Sequence, residues 1–207
     1  MTRWYREKKK EHFYKKAKKQ GYRARSAYKL LQIQNKFHLI NSGDTVVDLG
    51  AAPGGWSQVA YNIVQPDGFI VGVDRSFIKP YENVFFIKGD MTKDETLTTI
   101  INALNDKPVS VVLSDMSPDI SGNYSIDHAR SVYLCSEALK TAQKLLKKNG
   151  SFVCKIFMGD MFQDFISEVK ESFKQVKQFS PNASRKRGRY NCNRRCRRLP
   201  PYLQRCL

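Results

Sequence analysis

Three short stretches of this chain carry residues that could bind a nucleoside. The first reads Asp48-Leu-Gly-Ala-Ala-Pro-Gly-Gly-Trp56, and its glycines let the backbone turn sharply and come close to a ligand. Asp74 ends an apolar run about twenty residues further on, where a carboxylate can accept hydrogen bonds from a ribose diol. Asp90 ends the next apolar run and could accept a hydrogen bond from an adenine amino group. The glycine spacing is neither that of a phosphate loop nor that of a dinucleotide fingerprint.

A glycine loop followed by two strand-terminal acids fits an adenosine that carries no phosphate. S-adenosylmethionine is such a ligand, and we therefore expect it as the cofactor. On these residues alone, a tight turn with helix-capping acids is the alternative interpretation.

The elements that must position these residues are predicted by hydrophobic patterning. Five short apolar runs have the character of buried parallel strands. They cover residues 45–50, 69–74, 83–90, 109–115 and 151–157. Helical periodicity predicts helices over 26–34, 127–148 and 161–173. This alternation is typical of a single-domain α/β protein with a doubly wound, mostly parallel sheet, which binds ligands at the carboxyl ends of its strands.

Positive charge is concentrated at the two ends of the chain. Residues 1–36 hold 13 Lys/Arg and two acids, and residues 172–207 hold 11 Lys/Arg and no acid. Such ends suit a polyanion, and the aromatics interleaved with basic residues such as Arg23 suit exposed bases. The alternative for the charges is a solvated tail. The alternative for the aromatic residues is that they anchor an N-terminal helix to the core.

Apolar runs, the N-terminal segment and the cysteine spacing limit the remaining classes of protein. No apolar run approaches the roughly 20 residues that a membrane span needs, and no secretory signal is evident, so we expect a cytoplasmic protein. The five cysteines show no repeated pair spacing, and no metal site is expected.

Four stretches of the chain resemble the FtsJ/RrmJ-like ribose 2′-O-methyltransferases. They read GYRARSAYKLLQI (21–33), VVDLGAAPGGWSQ (46–58), VLSDMSPDISG (112–122) and FVCKIFMG (152–159). The resemblance implies a Rossmann-like S-adenosylmethionine-dependent methyltransferase fold and methyl transfer to a ribose 2′-hydroxyl of RNA. For chains of this size it implies that the substrate is a uridine of large-subunit ribosomal RNA. We expect the protein to act as a monomer on the large ribosomal subunit. Transfer RNA is the alternative substrate.

The resemblance also implies which residues form the site. It places the cofactor contacts at Gly54, Trp56, Asp74, Asp90 and Asp115. The family's catalytic set is Lys-Asp-Lys-Glu, and its first three positions fall on Lys29, Asp115 and Lys155.

The chemistry of Lys155 can be argued separately. It ends an apolar run, where desolvation disfavours a charged ammonium, and a second cation at Lys29 would act in the same direction. A neutral Lys155, oriented by Asp115, could therefore take a proton from a hydroxyl. The alternative is an amphipathic strand-end lysine that reaches water.

The C-terminal part departs from the resembled pattern. No acid follows Glu171, and residues 188–207 lack the glutamate and the hydrophobic last strand of the family. We therefore predict a basic RNA-binding segment and helix over 1–36, a methyltransferase core over 37–187 and an aberrant basic tail over 188–207.

In the resembled fold the missing strand is antiparallel and lies inside the sheet, so its loss would expose unpaired backbone edges, which sheets rarely tolerate. A reading-frame shift would explain the tail, and a genuine RNA-binding tail is the alternative. The missing glutamate also leaves open a non-catalytic RNA-binding ribosome assembly factor.

Overall fold

A computed structural model describes residues 12–184 and the backbone of residues 202–204. Residues 1–11 and the remainder of the C-terminal tail lie outside the described residues, and with them most of the basic positions expected to contact RNA.

The described residues form a seven-stranded sheet in the order β3-β2-β1-β4-β5-β7-β6. The strands are β1 Thr45–Leu49, β2 Phe69–Asp74, β3 Val84–Lys88, β4 Val109–Ser114, β5 Leu146–Lys155, β6 Lys177–Gln178 and β7 Tyr202–Gln204. The helices are α1, whose described part covers residues 12–19, then α2 Ala27–Phe37, α3 Gly55–Val64, α4 Asp94–Leu104, α5 Tyr124–Leu145 and α6 Phe162–Ser172. Strands β1 to β5 are parallel, which confirms the predicted α/β class.

The sheet is covered on both faces, as its fully buried strands require. Because side chains alternate along a strand, Val46 and Val47 of β1 point to opposite faces. Val46 packs with residues of α2 and α3, and Val47 with residues of α4, α5 and α6. The strand order reverses between β1 and β4, so a crevice for ligands is expected at the carboxyl ends of these two strands. Among the helices described, none combines the length and apolarity needed to cross a membrane.

The N-terminal aromatics act as anchors where they are described. The rings of Phe13 and Tyr22 lie 5.5 and 5.6 Å from that of Tyr28 in α2. Ala17 and Ala183 are buried in the same small cluster. For these rings the alternative interpretation is therefore correct: they anchor the N-terminal helix to the core. Their contacts hold α1 against α2.

The helix predicted over 127–148 lies three residues earlier in the chain. It begins early because the Asn123 side chain caps it, accepting from the N–H groups of residues 125 and 126. It ends early because Leu146 already pairs with Val109 in the sheet, before an irregularity in the register.

The prediction that residues 188–207 contain no strand is wrong. Strand β7 lies antiparallel between β5 and β6, with Tyr202 opposite Lys155 and Leu203 opposite both Cys154 and Gln178. The unpaired N–H and C=O groups of two facing edges can bond any extended backbone, whatever its side chains. Strand pairing therefore does not need the family's hydrophobic pattern.

Candidate active site

Three charged side chains meet where β4 and β5 end. The Lys29 ammonium of α2 lies 2.9 Å from each oxygen of the Asp115 carboxylate. The Lys155 Nζ lies 3.2 Å from Oδ1 of Asp115 and also donates to the backbone carbonyl of that residue. The structure therefore brings together all three residues that the resemblance named as catalytic.

The cluster is nearly closed to solvent. Side-chain exposure is 13% for Lys29, 15% for Asp115 and 11% for Lys155. Burial lowers the pKa of Lys155, Asp115 opposes this effect, and the Lys29 charge adds to the lowering. Because burial is the largest cause, the neutral amine of Lys155 is reached at lower pH than for an ordinary lysine.

The glycine loop after β1 leaves little room for side chains. At Gly50, where φ is +73°, a Cβ would overlap the Met116 side chain, so the loops after β1 and β4 touch. At Gly54, where φ is +100°, a Cβ would lie 3.1 Å from the Arg23 side chain. Both positions need glycine for their backbone conformation, and Gly50 needs it also for space.

The two strand-terminal acids lie beside this loop and accept backbone hydrogen bonds. Asp74 accepts from the N–H of Ala52 at 3.0 Å, which ties the glycine loop to β2, and from the N–H of Ser76 at 2.8 Å. Asp90 accepts from the N–H and the hydroxyl of Thr92, both on Oδ1, and these bonds lower its pKa. Each of these side chains has further acceptor capacity for a ligand.

Trp56 has a different environment from the other predicted cofactor contacts. Its side chain is buried, and its indole N–H donates to the Ser26 carbonyl at 2.9 Å. The N–H of Arg23 donates to the Gln58 side chain at 2.9 Å. The segment before α2 is thus bonded to the start of α3, and a cofactor contact by Trp56 stays a prediction.

Arg23 has a structural role that its sequence context did not reveal. Its guanidinium donates to the carbonyls of Lys79 and Pro80 and lies 4.8 Å from the Tyr81 ring centre. It therefore ties the basic N-terminal segment to the loop after β2, across the edge of the glycine loop.

Sequence reasoning missed Asp48 as a functional residue, although it begins the quoted glycine motif. Its side chain is fully buried, Oδ2 accepts from the Ser57 hydroxyl at 2.6 Å, and Oδ1 has no hydrogen-bond partner among the described residues. Burial raises the pKa of Asp48 to about 7. An acid in the middle of a strand that reads as buried was the available signal.

One face of α5 holds the backbone that follows Lys155. The Cys135 thiol donates to the Lys155 carbonyl, and the Ser131 hydroxyl accepts from the Phe157 N–H at 3.0 Å. One turn earlier, His128 bonds the same loop through both ring nitrogens. These contacts fix the end of β5, and no periodic sequence pattern distinguishes them from ordinary core positions.

The crevice fits S-adenosylmethionine. The loop after β1 offers a close backbone approach, Asp74 and Asp90 offer carboxylate acceptors, and the buried Oδ1 of Asp48 offers another to a donor that reaches it. Within residues 12–184, no group of His, Cys, Asp or Glu side chains is arranged to hold a metal ion.

These features define an S-adenosylmethionine-dependent methyltransferase. The chain belongs to the FtsJ-like methyltransferase family, which it matches over residues 22–191. This confirms the resemblance and the enzyme class, and with them the expected cofactor.

The chain is similar to proteins named ribosomal RNA large subunit methyltransferase E. It is 53% identical to that of Methanothrix thermoacetophila over 177 residues, which are 86% of this chain and 68% of the relative. It is 48% identical to that of Methanocaldococcus jannaschii over 188 residues, which are 89% of this chain and 77% of the relative.

Solved structures carry the same fold. A protein of Plasmodium falciparum described as a ribosomal RNA methyltransferase superposes with a TM-score of 0.76 at 25% identity, covering 89% of this chain and 97% of that one. Fibrillarin from Aeropyrum pernix, solved with S-adenosyl-L-methionine, superposes with a TM-score of 0.60 at 16% identity, covering 88% and 76% of the two chains, and supports the fold alone.

Proposed function

We propose that this chain transfers a methyl group from S-adenosylmethionine to a ribose 2′-hydroxyl of large-subunit ribosomal RNA, at a uridine. The observation that carries the proposal is the buried cluster of Lys29, Asp115 and Lys155 beside the glycine loop. Relatives at about half identity are named for this RNA, and the basic N-terminal segment offers the charge that a phosphate backbone needs.

Lys155 is assigned as the base. A neutral amine has two N–H groups and one lone pair, and both Asp115 contacts of Lys155 are acceptors, the carboxylate Oδ1 and the backbone carbonyl. Asp115 can therefore engage both N–H groups, which leaves the lone pair for the proton of the substrate hydroxyl. With the cofactor bound, the oxygen would take the methyl carbon while the carbon–sulfur bond broke and neutral S-adenosylhomocysteine left, and the hydroxyl proton would pass to Lys155 Nζ.

Asp115 and Lys29 then have supporting roles in the same step. Asp115 orients Lys155 and balances the charge that it gains, while Lys29 holds the carboxylate through both oxygens. The cofactor, when bound, supplies a methyl group already activated on a sulfonium, so the protein's task is alignment and proton removal.

The test is transfer of labelled methyl groups to large ribosomal subunits from a methylation-deficient source. We expect label on a ribose 2′-oxygen, and a loss of roughly 100-fold or more in Lys155→Ala. Lys88→Ala is the matched control, because Lys88 also ends a parallel strand but is exposed. Transfer RNA offered in the same assay tests the alternative substrate.

The opposite result would identify a different class of protein. Cofactor binding without label on any RNA would favour a non-catalytic RNA-binding assembly factor, and the absent family glutamate is the observation behind that candidate. In our proposal the enzyme acts as a monomer in the cytoplasm, which light scattering and cell fractionation test.

The frame-shift hypothesis for residues 188–207 is separate from this assay. Resequencing the gene tests it, and an unchanged frame would favour a genuine basic tail. Appending the family's glutamate strand in place of this tail should raise the rate if the missing carboxylate limits it.

A further inference from the structure

Tyr124, the first residue of α5, is exposed yet held at two points. Its side chain is 45% exposed. Its hydroxyl donates to the Met158 carbonyl at 2.6 Å. Its ring lies nearly parallel to the imidazole of His128, with an interplanar angle of 12° and ring centres 6.3 Å apart. An exposed aromatic ring fixed in this way has little rotational freedom left to lose when it binds a ligand.

The imidazole next to the Tyr124 ring is itself buried and hydrogen-bonded at both nitrogens. His128 is only 4% exposed, and the N–H of Met161 donates to its Nε2 at 3.1 Å. A backbone N–H can only donate, so Nε2 must accept, and Nδ1 must carry the proton that it donates to the Phe157 carbonyl at 3.0 Å. Both ring nitrogens are therefore used by one loop, and His128 supports one side of the Tyr124 ring.

The position of Tyr124 connects it with the proposed catalytic cluster. Met158, which accepts its hydroxyl, follows Lys155 by three residues, a reach of at most about 10 Å along the chain. Tyr124 also stands at the end of the loop that begins at Asp115. The ring therefore lies between the loops after β4 and β5, at the same carboxyl end of the sheet as Asp115 and Lys155.

We propose that Tyr124 is a stacking platform for an unpaired base of the RNA substrate, either the methylated nucleotide or its neighbour. The inference rests on the proposed function, because the stacked base belongs to the RNA whose ribose is methylated at Lys155. Sequence-specific RNA recognition favours bases splayed out onto aromatic side chains. A stacked base contributes about 1–3 kcal/mol by alanine substitution, which corresponds to a change of roughly 5- to 150-fold in affinity.

The first experiment measures binding of a fluorescent uridine oligonucleotide by anisotropy in the full chain. We expect Tyr124→Leu to weaken binding roughly 10-fold and Tyr124→Phe to weaken it much less, because phenylalanine retains the ring and loses only the hydroxyl tether. Tyr133→Leu is the matched control, since Tyr133 is a 56% exposed tyrosine of the same helix. If Tyr124→Phe binds the oligonucleotide as weakly as Tyr124→Leu, the hydroxyl and not the ring determines the affinity, and the stacking proposal is refuted.

A second ligand separates stacking from a structural role. A sugar-phosphate backbone of the same length without bases should bind wild type and Tyr124→Leu equally. Equal weakening for both ligands would mean that Tyr124 only supports the loop, and it would overturn the proposal. Anisotropy does not depend on turnover, so a wild-type protein that transfers no methyl group would refute the proposed function while the platform is still judged by binding.

Discussion

The two halves of the site are held together in different ways. On the cofactor side, Asp90 bonds Thr92 two residues away, and Asp74 bonds Ser76 and the adjacent glycine loop. On the catalytic side, the bonds of Asp115 reach Lys29 across 86 residues and Lys155 across 40. The acids of the cofactor side are thus held mainly by backbone N–H groups of nearby turns and of the glycine loop, whereas the catalytic side consists of ionisable side chains brought together by the fold.

This difference predicts different responses to substitution. A carboxylate fixed by backbone N–H groups keeps its place when a distant side chain changes. Charges that bond one another share their protonation, so the loss of one alters the pKa of the next. Substitutions on the catalytic side should therefore change the pH dependence of the rate, and those on the cofactor side should change affinity alone.

Of the three substitutions that test this comparison, Lys29→Met is expected to have the largest effect. Lys29 lowers the pKa of Lys155 and holds the Asp115 carboxylate, so its loss should raise that pKa by both routes. Since the neutral amine is the proposed base, the rising limb of kcat against pH should move to higher pH. We expect roughly 100-fold lower kcat near neutral pH, partly recovered in alkaline buffer.

Lys36→Met provides the control for this shift. Lys36 belongs to the same helix, but it is exposed and lies over the Phe179 ring, at 4.4 Å from its centre. A uniform fall in kcat for Lys29→Met, with no displacement of the pH profile, would contradict the coupling of the two lysines.

A smaller effect is expected for Asp74→Ala. The substitution removes the acceptor of the Ala52 N–H and the proposed partner of the ribose diol. We expect the KM for S-adenosylmethionine to rise roughly 10-fold, with kcat and its pH profile little changed. Titration calorimetry of the cofactor checks the affinity directly, with the exposed Asp67→Ala as control. A displaced pH profile in Asp74→Ala would contradict the expected difference between the cofactor side and the catalytic side.

The same contrast explains what the sequence could reveal. The five parallel strands, the glycine loop and the acids at 74 and 90 were predictable, because each depends on residues close together in the chain. Lys29 carries no such signal: a lysine on a short helix is ordinary, and its role came only from the resemblance. The bonds of His128 and Arg23 were not predictable, since their partners are backbone groups 29 to 57 residues away.

Strand β7 was missed for a related reason. Prediction from side-chain pattern requires a hydrophobic run, and residues 188–207 contain none of the expected form. What pairs β7 is the backbone of β5 and β6, whose facing edges would otherwise leave donors and acceptors unbonded. The sequence of β7 alone therefore does not show that β5 and β6 need a hydrogen-bonding partner between them.

Asp48 should give the smallest of the three effects, and it tests whether the cofactor side is as independent of distant charges as its local bonds suggest. Burial raises the pKa of Asp48 from 3.8 to about 7. The folded state then binds more protons than the unfolded state between these values, so stability falls as pH rises through the window. Between about pH 6 and about pH 8 we expect a fall of about 1 kcal/mol in the free energy of unfolding.

Asp48→Asn should lose this part of the pH dependence in urea titrations, whereas the exposed Asp67→Asn should retain it. A wild-type stability that is flat over this range would mean that Asp48 stays ionised. Its buried charge would then need a compensating partner on the catalytic side, and the two halves would be coupled.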